Sequence, residues 1–588
     1  LLLCMIENTI IFYTKTIIIM KRNYFISCLL ALLSSLNVLA YDFEVDGIYY
    51  TITNSHVVSV VKGTYDYDGD VTIPKTVSNG VETFNVTGIG ESAFKSCGEL
   101  VSVTLPEGLT TIGNEAFYQS GIKTVSLPST LSSMGSSAFR ECRNLTGIAL
   151  PDALKEIKEY TFYECSALKV VEVGNGMDTF HEYAFQNCRA IENLYIPKST
   201  KQIGKGAFRG CYSLKNITID NAPLIINPYA FQNCTSLENV NLGNAIVELR
   251  GVYDAFGSGG AFTGCTNLTS IDIPSSITVV EDYTFLDCSK LQHVSLPNTI
   301  TSIGASAFQR CAISEIALPS TLTSIGEYAF ENCPLISIDL PSSLKTIGSR
   351  SFEGTALKEV VIPSSVTAIE AHAFNNCKNL KKVKIDNAPV VLTASFTGCA
   401  SLSDVDLGNA VVEMKSSSTY QCAGCFVNCK SHSSISLPNT IKTIGRETFS
   451  GCTSLQEINL PNALTSIEES VFQNCSSLKK ITLPNTLQTI GSYAFDGCGQ
   501  LKVVDLPTAL TSLGSYAFCS CKSLTSILIP ELVTNLSYYA FKGCSNLETV
   551  IFDNAIVEIQ QNCFQGCTNL KNLELGKVTF IDFQAFAN

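Results

Sequence analysis

The stretch Leu478 to Cys498 reads LKKITLPNTLQTIGSYAFDGC, and its spacing decides the fold. Ile481 and Leu483 flank an outward Thr482, the period-two alternation of a short half-buried strand. Pro484 follows and has no N–H with which to extend a hydrogen-bonded ladder, so the strand ends there. The step Ile490-Gly491 suits a second tight turn, after which Ala494-Phe495 faces the interior. The same letters recur along the chain. The Phe position falls at 94, 117, 139, 162, 185, 208, 231, 262, 285, 308, 330, 352, 374, 396, 426, 449, 472, 495, 518, 541, 564 and 586. Steps are 22 or 23 residues, except 231→262 and 396→426 at 31 and 30. One such coil cannot cover its own apolar face, so neighbours must stack, and a fixed period of this length specifies a solenoid. The expected architecture is about 22 units of 22–23 residues, with short parallel strands forming a curved ribbon roughly 105 Å long at about 4.8 Å per strand.

Composition agrees. The chain has 588 residues, 45% hydrophobic and 15% charged, a balance that excludes a mostly disordered polymer. A net charge of −13 without a basic patch disfavours nucleic acid as a partner. Residues 1–19 read as sequence upstream of a start at Met20. Residues 20–40 read as a secretory signal peptide: Lys21-Arg22, an apolar core through Leu36, then Val38-Leu39-Ala40 at the cleavage site. Residues 41–81 depart from the repeat and read as an N-terminal lead-in that caps the first coil, and 82–588 as the solenoid. No apolar run beyond residue 40 is long enough to span a bilayer. The chain stops just before an expected Cys, so a C-terminal cap and any anchoring segment are expected beyond Asn588.

A longer period overlies the short one. Ile219-Asp220-Asn221-Ala222, Ile385-Asp386-Asn387-Ala388 and Phe552-Asp553-Asn554-Ala555 recur seven units apart, as in a duplicated block. The whole pattern resembles the BspA-like, or Treponema-type, leucine-rich repeat family, a resemblance that covers about residues 82–588. It implies a leucine-rich repeat solenoid with a small N-terminal cap. It also implies a secreted or surface-exposed protein that binds host proteins or other cells.

Nineteen of the 25 Cys fall three residues after the repeat Phe, and two other units hold Ser120 and Thr355 there. Replacement by small hydroxyl residues predicts a buried thiol ladder rather than disulfides. Cys422-Ala423-Gly424-Cys425 has the spacing of a local bridge, and without a matching pair it is weak evidence for metal. Asp66-Tyr67-Asp68-Gly69-Asp70 has the oxygen density of a calcium loop but lacks the distal Glu, which favours an acidic Asp-Gly hairpin turn. His432 occupies a repeat Leu position and His372 precedes an Ala-Phe pair, so both read as structural. No catalytic constellation, phosphate loop or metal set is present in the sequence. The reading is therefore a non-enzymatic protein without a cofactor or metal, its partner a protein ligand. The rivals are an exported enzyme or an anchored spacer whose functional domain lies past residue 588.

Two regions are candidate contact surfaces. The insertions at about Arg250 to Gly259 and Ser416 to Gly424 leave the coil seven units apart, roughly 34 Å at about 4.8 Å per unit. Tyr253, Phe256 and Tyr420 are their candidate anchors, since exposed aromatics carry binding energy well. The second surface is the outward column of the strand ribbon. It is mostly short polar and acidic, with Asp272, Asp339 and Asp406 as an acidic stripe.

Overall fold

The computed structural model describes residues 41–587 apart from 221–222, 255–256, 419–423, 554–557 and 576. The expected signal peptide at 20–40 lies outside the described residues. What is described is a β-solenoid of about 21 turns without an α-helix. Two columns of parallel strands run along it. The first is built from the Ile-x-Leu segments: Asn193–Ile196 pairs with Asn216–Ile219, which pairs with Asn239–Asn241. The second is built from the residue pair before the repeat Gly, as in Thr179–Phe180 against Gln202–Ile203. A third hydrogen-bonded column follows the Phe. Ser92, Phe94 and Ser96 donate their N–H groups to the carbonyls of Asn114, Ala116 and Tyr118 in the next turn, at 3.0, 2.6 and 2.8 Å.

The third column bends through left-handed residues two before and two after the Phe, as at Tyr183 (φ 58°) and Asn187 (φ 61°) around Phe185. The later position is mostly Asn or Gly, the residues that enter this region at least cost. Along the coil these two alternate for a steric reason. A Cβ on Gly210 would lie 2.4 Å from Oδ1 of Asn187, and one on Gly264 would lie 2.3 Å from Oδ1 of Asn233. The same contact joins Asn332 to Gly354, Asn376 to Gly398, Asn428 to Gly451 and Asn474 to Gly497.

The repeat Gly of the Ile-Gly step has a different reason from the one expected. It does not adopt a left-handed conformation. A Cβ on Gly326 would lie 2.6 Å from the carbonyl carbon of Gly304. Close approach of successive turns, not turn chirality, selects glycine there.

Inside, the Phe rings form one continuous stack from Phe94 to Phe586, with centroids 4.7–5.7 Å apart and planes within 14° of parallel. The ladder cysteines are free and buried. From Cys142 to Cys567, each thiol donates to the carbonyl of the Phe one turn earlier, at 2.9–3.4 Å. Burial pushes the thiols of Cys234, Cys288 and Cys452 up to about 12, so they stay protonated and can donate. Ser120 and Thr355 keep the polar column going by contacting Sγ of Cys142 and Cys377 at 3.4 and 3.2 Å. Cys425 takes the place of the Ala before Phe426 and donates to Leu392 O at 3.3 Å. Cys422 lies outside the described residues.

The N-terminal cap is an antiparallel meander of Phe43–Val45, Ile48–Asn54 and Val57–Val61. Its last strand pairs in parallel with Thr83–Ile89 and so hands over to the solenoid. The segment Asp66 to Asp70 is not the expected hairpin turn. Gly69–Thr72 pairs in parallel with Leu100–Thr104, so the acidic residues form a crossover between the two strand columns. The alternation Val71-Thr72-Ile73, with Ile73 buried, is a repeat strand and recruits that partner.

Candidate partner-binding surface

The first strand column presents outward residues from each turn, and along most of its length backbone ladders hold them in register. Its strands fall into several successive sheets, and over two consecutive turns neither a strand nor an isolated bridge forms among the described residues. No strand forms at Ser314–Leu318 or Ile336–Leu340, between the strands His293–Ser295 and Glu359–Ile362. Both segments sit in 22-residue turns that have one residue fewer between the ladder Cys and the Pro. The amides of Glu315 to Leu318 and of Ser337 to Leu340 donate no hydrogen bond among the described residues. Solvated polar backbone that leaves its ladder is open to another chain.

A shallow groove of about 500 Å³ runs over this interruption. Its lining brings together Asp272 and Asp339, two of the three residues of the expected acidic stripe, with His293 and Glu315. Asp406 stands apart. It lies farther along the column beside Lys384 and Asp386, and its Oδ1 accepts the Gly408 N–H at 3.0 Å. Glu315 and His293 were not among the expected residues because they stand two positions before the outward column residues Ala317 and Ser295. The available signal was a run of three shortened turns, Cys311 to Pro319, Cys333 to Pro341 and Thr355 to Pro363.

The first insertion is a β-hairpin, Val252–Asp254 against Gly257–Gly259. It is fastened to the coil. Lys205 Nζ contacts Asp254 Oδ2 at 2.7 Å, and the Tyr229 hydroxyl lies 2.9 Å from Asp254 Oδ1 and 2.6 Å from Gly257 O. The Asp254 carboxylate holds Lys205 above its ordinary range, while burial and then Asp254 raise Tyr229. Gly259 passes so close to the Tyr229 ring that a Cβ would lie 2.0 Å from it. Tyr253 projects from this clamped hairpin, 76% exposed. Phe256 and Tyr420 lie outside the described residues.

A family model described as BspA type leucine rich repeat region matches in six copies, over residues 80–192, 201–336, 258–381, 323–424, 423–548 and 488–588. The chain belongs to the BspA-type leucine-rich repeat family. Members of this type are typically surface proteins, and repeat proteins of this fold generally bind proteins and are generally non-enzymatic. Solved structures resemble this BspA-type chain at low identity. A leucine-rich repeat protein of Bacteroides ovatus is 24% identical over 84% of this chain and 96% of its own, with a TM-score of 0.40. A leucine rich cell surface protein of Faecalibacterium prausnitzii is 20% identical over 90% and 94%, at 0.23. The pneumococcal vaccine antigen PcpA is 20% identical over 77% and 94%, at 0.34. Among curated proteins none matches. No helix among the described residues of the BspA-type chain is long and apolar enough to cross a membrane.

Proposed function

We propose that this is a secreted or cell-surface adhesion protein, exported by the segment 20–40, that holds an extended segment of a host or other cell-surface protein across its strand column. The observation that carries this reading is the interrupted ladder, where free backbone amides and the carboxylates of Asp272, Glu315 and Asp339 share one groove. Backbone groups supply affinity for an extended chain, and flanking side chains supply selectivity. The acidic lining selects a segment that carries Lys or Arg. Tyr253 is a second anchor: its hairpin is already ordered by Lys205 and Tyr229, so binding there need not order a loop.

The test is surface plasmon resonance of the chain from Tyr41 against a panel of host extracellular proteins. For a ligand so found, Asp339→Asn with Glu315→Gln should weaken binding roughly tenfold, and Tyr253→Ala comparably, as expected for loss of an anchor. Unchanged affinity in both variants, with circular dichroism unchanged, would overturn the reading.

A further inference from the structure

The cap carries a cavity that the solenoid's packing does not require. It opens between the hairpin Phe43 to Tyr50 and the crossover Tyr65 to Pro74, and its volume is about 650 Å³, within the range of a small-molecule site. Five carboxylates belong to its lining: Glu44, Asp46, Asp66, Asp68 and Asp70. Asp66 meets Lys62 at 3.4 Å, and Asp70 accepts from Ser102 Oγ at 2.5 Å. Glu44, Asp46 and Asp68 have no such partner among the described residues.

Four tyrosines, Tyr49, Tyr50, Tyr65 and Tyr67, line the same cavity. Tyr67 is satisfied: its hydroxyl accepts the Tyr49 N–H at 3.1 Å and donates to Val61 O at 2.8 Å. Tyr50 is not. It is fully buried, and its hydroxyl has no hydrogen-bond partner among the described residues, a rare state for a buried polar group.

We infer that the cap cavity binds an organic cation of the alkylammonium class, a protonated amine on an apolar stem, with the Tyr50 hydroxyl oxygen accepting from the ammonium. The carboxylates attract the charge, and the rings of Tyr49 and Tyr67 offer π faces to a cation and apolar surface to its stem. A bare metal ion does not suit the donor set. Calcium takes six to eight oxygens at about 2.3–2.6 Å, and among the described residues no cluster of three acidic, His or Cys side chains could hold a metal. Burial, then Asp46, pushes Tyr50 up to about 12, so the phenol is neutral at pH 7 and keeps its oxygen lone pairs for an N–H donor. The cavity is larger than an ammonium group, which calls for a stem.

Two sources carry this chemistry, a free polyamine and a lysine side chain of a peptide. Calorimetry on the chain from Tyr41 should use spermidine as one probe and acetyl-Lys-Lys-amide as the other. Saturable binding of one spermidine per chain is expected. Tyr50→Phe, which keeps the ring, should weaken it roughly tenfold, the size of a hydrogen bond to a charged group. Asp68→Asn, at an exposed position where folding is not at risk, should weaken it and reduce its salt dependence. Glu238→Gln, exposed and far along the coil, should leave it unchanged. Competition by the peptide would assign the cavity to a lysine side chain, and binding of spermidine alone to a free amine. No saturable binding of either probe, unchanged binding in both Tyr50→Phe and Asp68→Asn, or equal weakening by Glu238→Gln would overturn the proposal, the last because it marks diffuse attraction to an acidic protein. Failure here leaves the ribbon groove as read, since the two surfaces share no residue.

Discussion

Phe330 and Cys333 together show what one turn contributes. The Phe ring is fully buried between Phe308 and Phe352 at 5.5 and 5.6 Å, and the thiol donates to Phe308 O at 3.0 Å. Phe330→Ala opens a cavity in the middle of the stack and should cost about 3–5 kcal/mol. Cys333→Ser keeps a donor and most of the volume, and should cost less than half of that in the same denaturation experiment. Thiol titration of unfolded, unreduced protein should find all nineteen ladder cysteines free. The sequence marked this position as small, buried and able to donate. It could not name the acceptor, because a period says which residue recurs and not what it touches one turn back. His432 supplies a pH dependence. It fills a Leu site, 1% exposed, edge-on to Phe426 at 6.3 Å, and burial holds its imidazole below the ordinary range, with Asp404 opposing. The folded state therefore prefers the neutral ring. That stability is complete above the unfolded value near 6.5 and is lost as pH falls below it. Melting at pH 7.5 and 5.5 should show a drop that His432→Leu reduces.

At the scale of the element, strands and turns were legible because apolar alternation and Pro punctuate every unit. The interruption at Glu315 to Leu318 and Ser337 to Leu340 was not. The lost residue is visible in the chain, yet Thr124–Ser126 follows a turn of the same short length and still pairs with Ser102–Thr104. Whether a shortened turn keeps its ladder depends on its neighbours: the break falls in the first two of three successive short turns, and the third carries the paired strand Glu359–Ile362. Hydrogen exchange measures this directly. The amides of Glu315 to Leu318 and Ser337 to Leu340 should exchange at least a hundredfold faster than those inside the paired strand Glu359–Ile362. The hairpin was legible only as an insertion. What orders it, Lys205 and Tyr229 acting on Asp254, comes from turns one and two periods upstream.

The whole molecule is quasi-one-dimensional: each turn touches its neighbours and little else, so turns can be removed by excision if the new neighbours fit. The contact two residues after the Phe sets a condition on that. Deleting residues 429–451 removes one turn and sets Asn428 against Asn474, a pairing found nowhere along the coil. Deleting 429–474 removes two turns and restores Asn428 against Gly497. The longer deletion should give the protein with the higher melting temperature. The contact also bears on how the chain grew. Its long block is seven turns, an odd number, so copying it inverts the parity of an alternating pair. Three corresponding positions are inverted in this way: Asn187, Gly210 and Asn233 correspond to Gly354, Asn376 and Gly398 one block later. Descent from a common block would have preserved the letters. Mutual exclusion between adjacent turns has rewritten them, and this column records local sterics where the Ile-Asp-Asn-Ala segments still record ancestry.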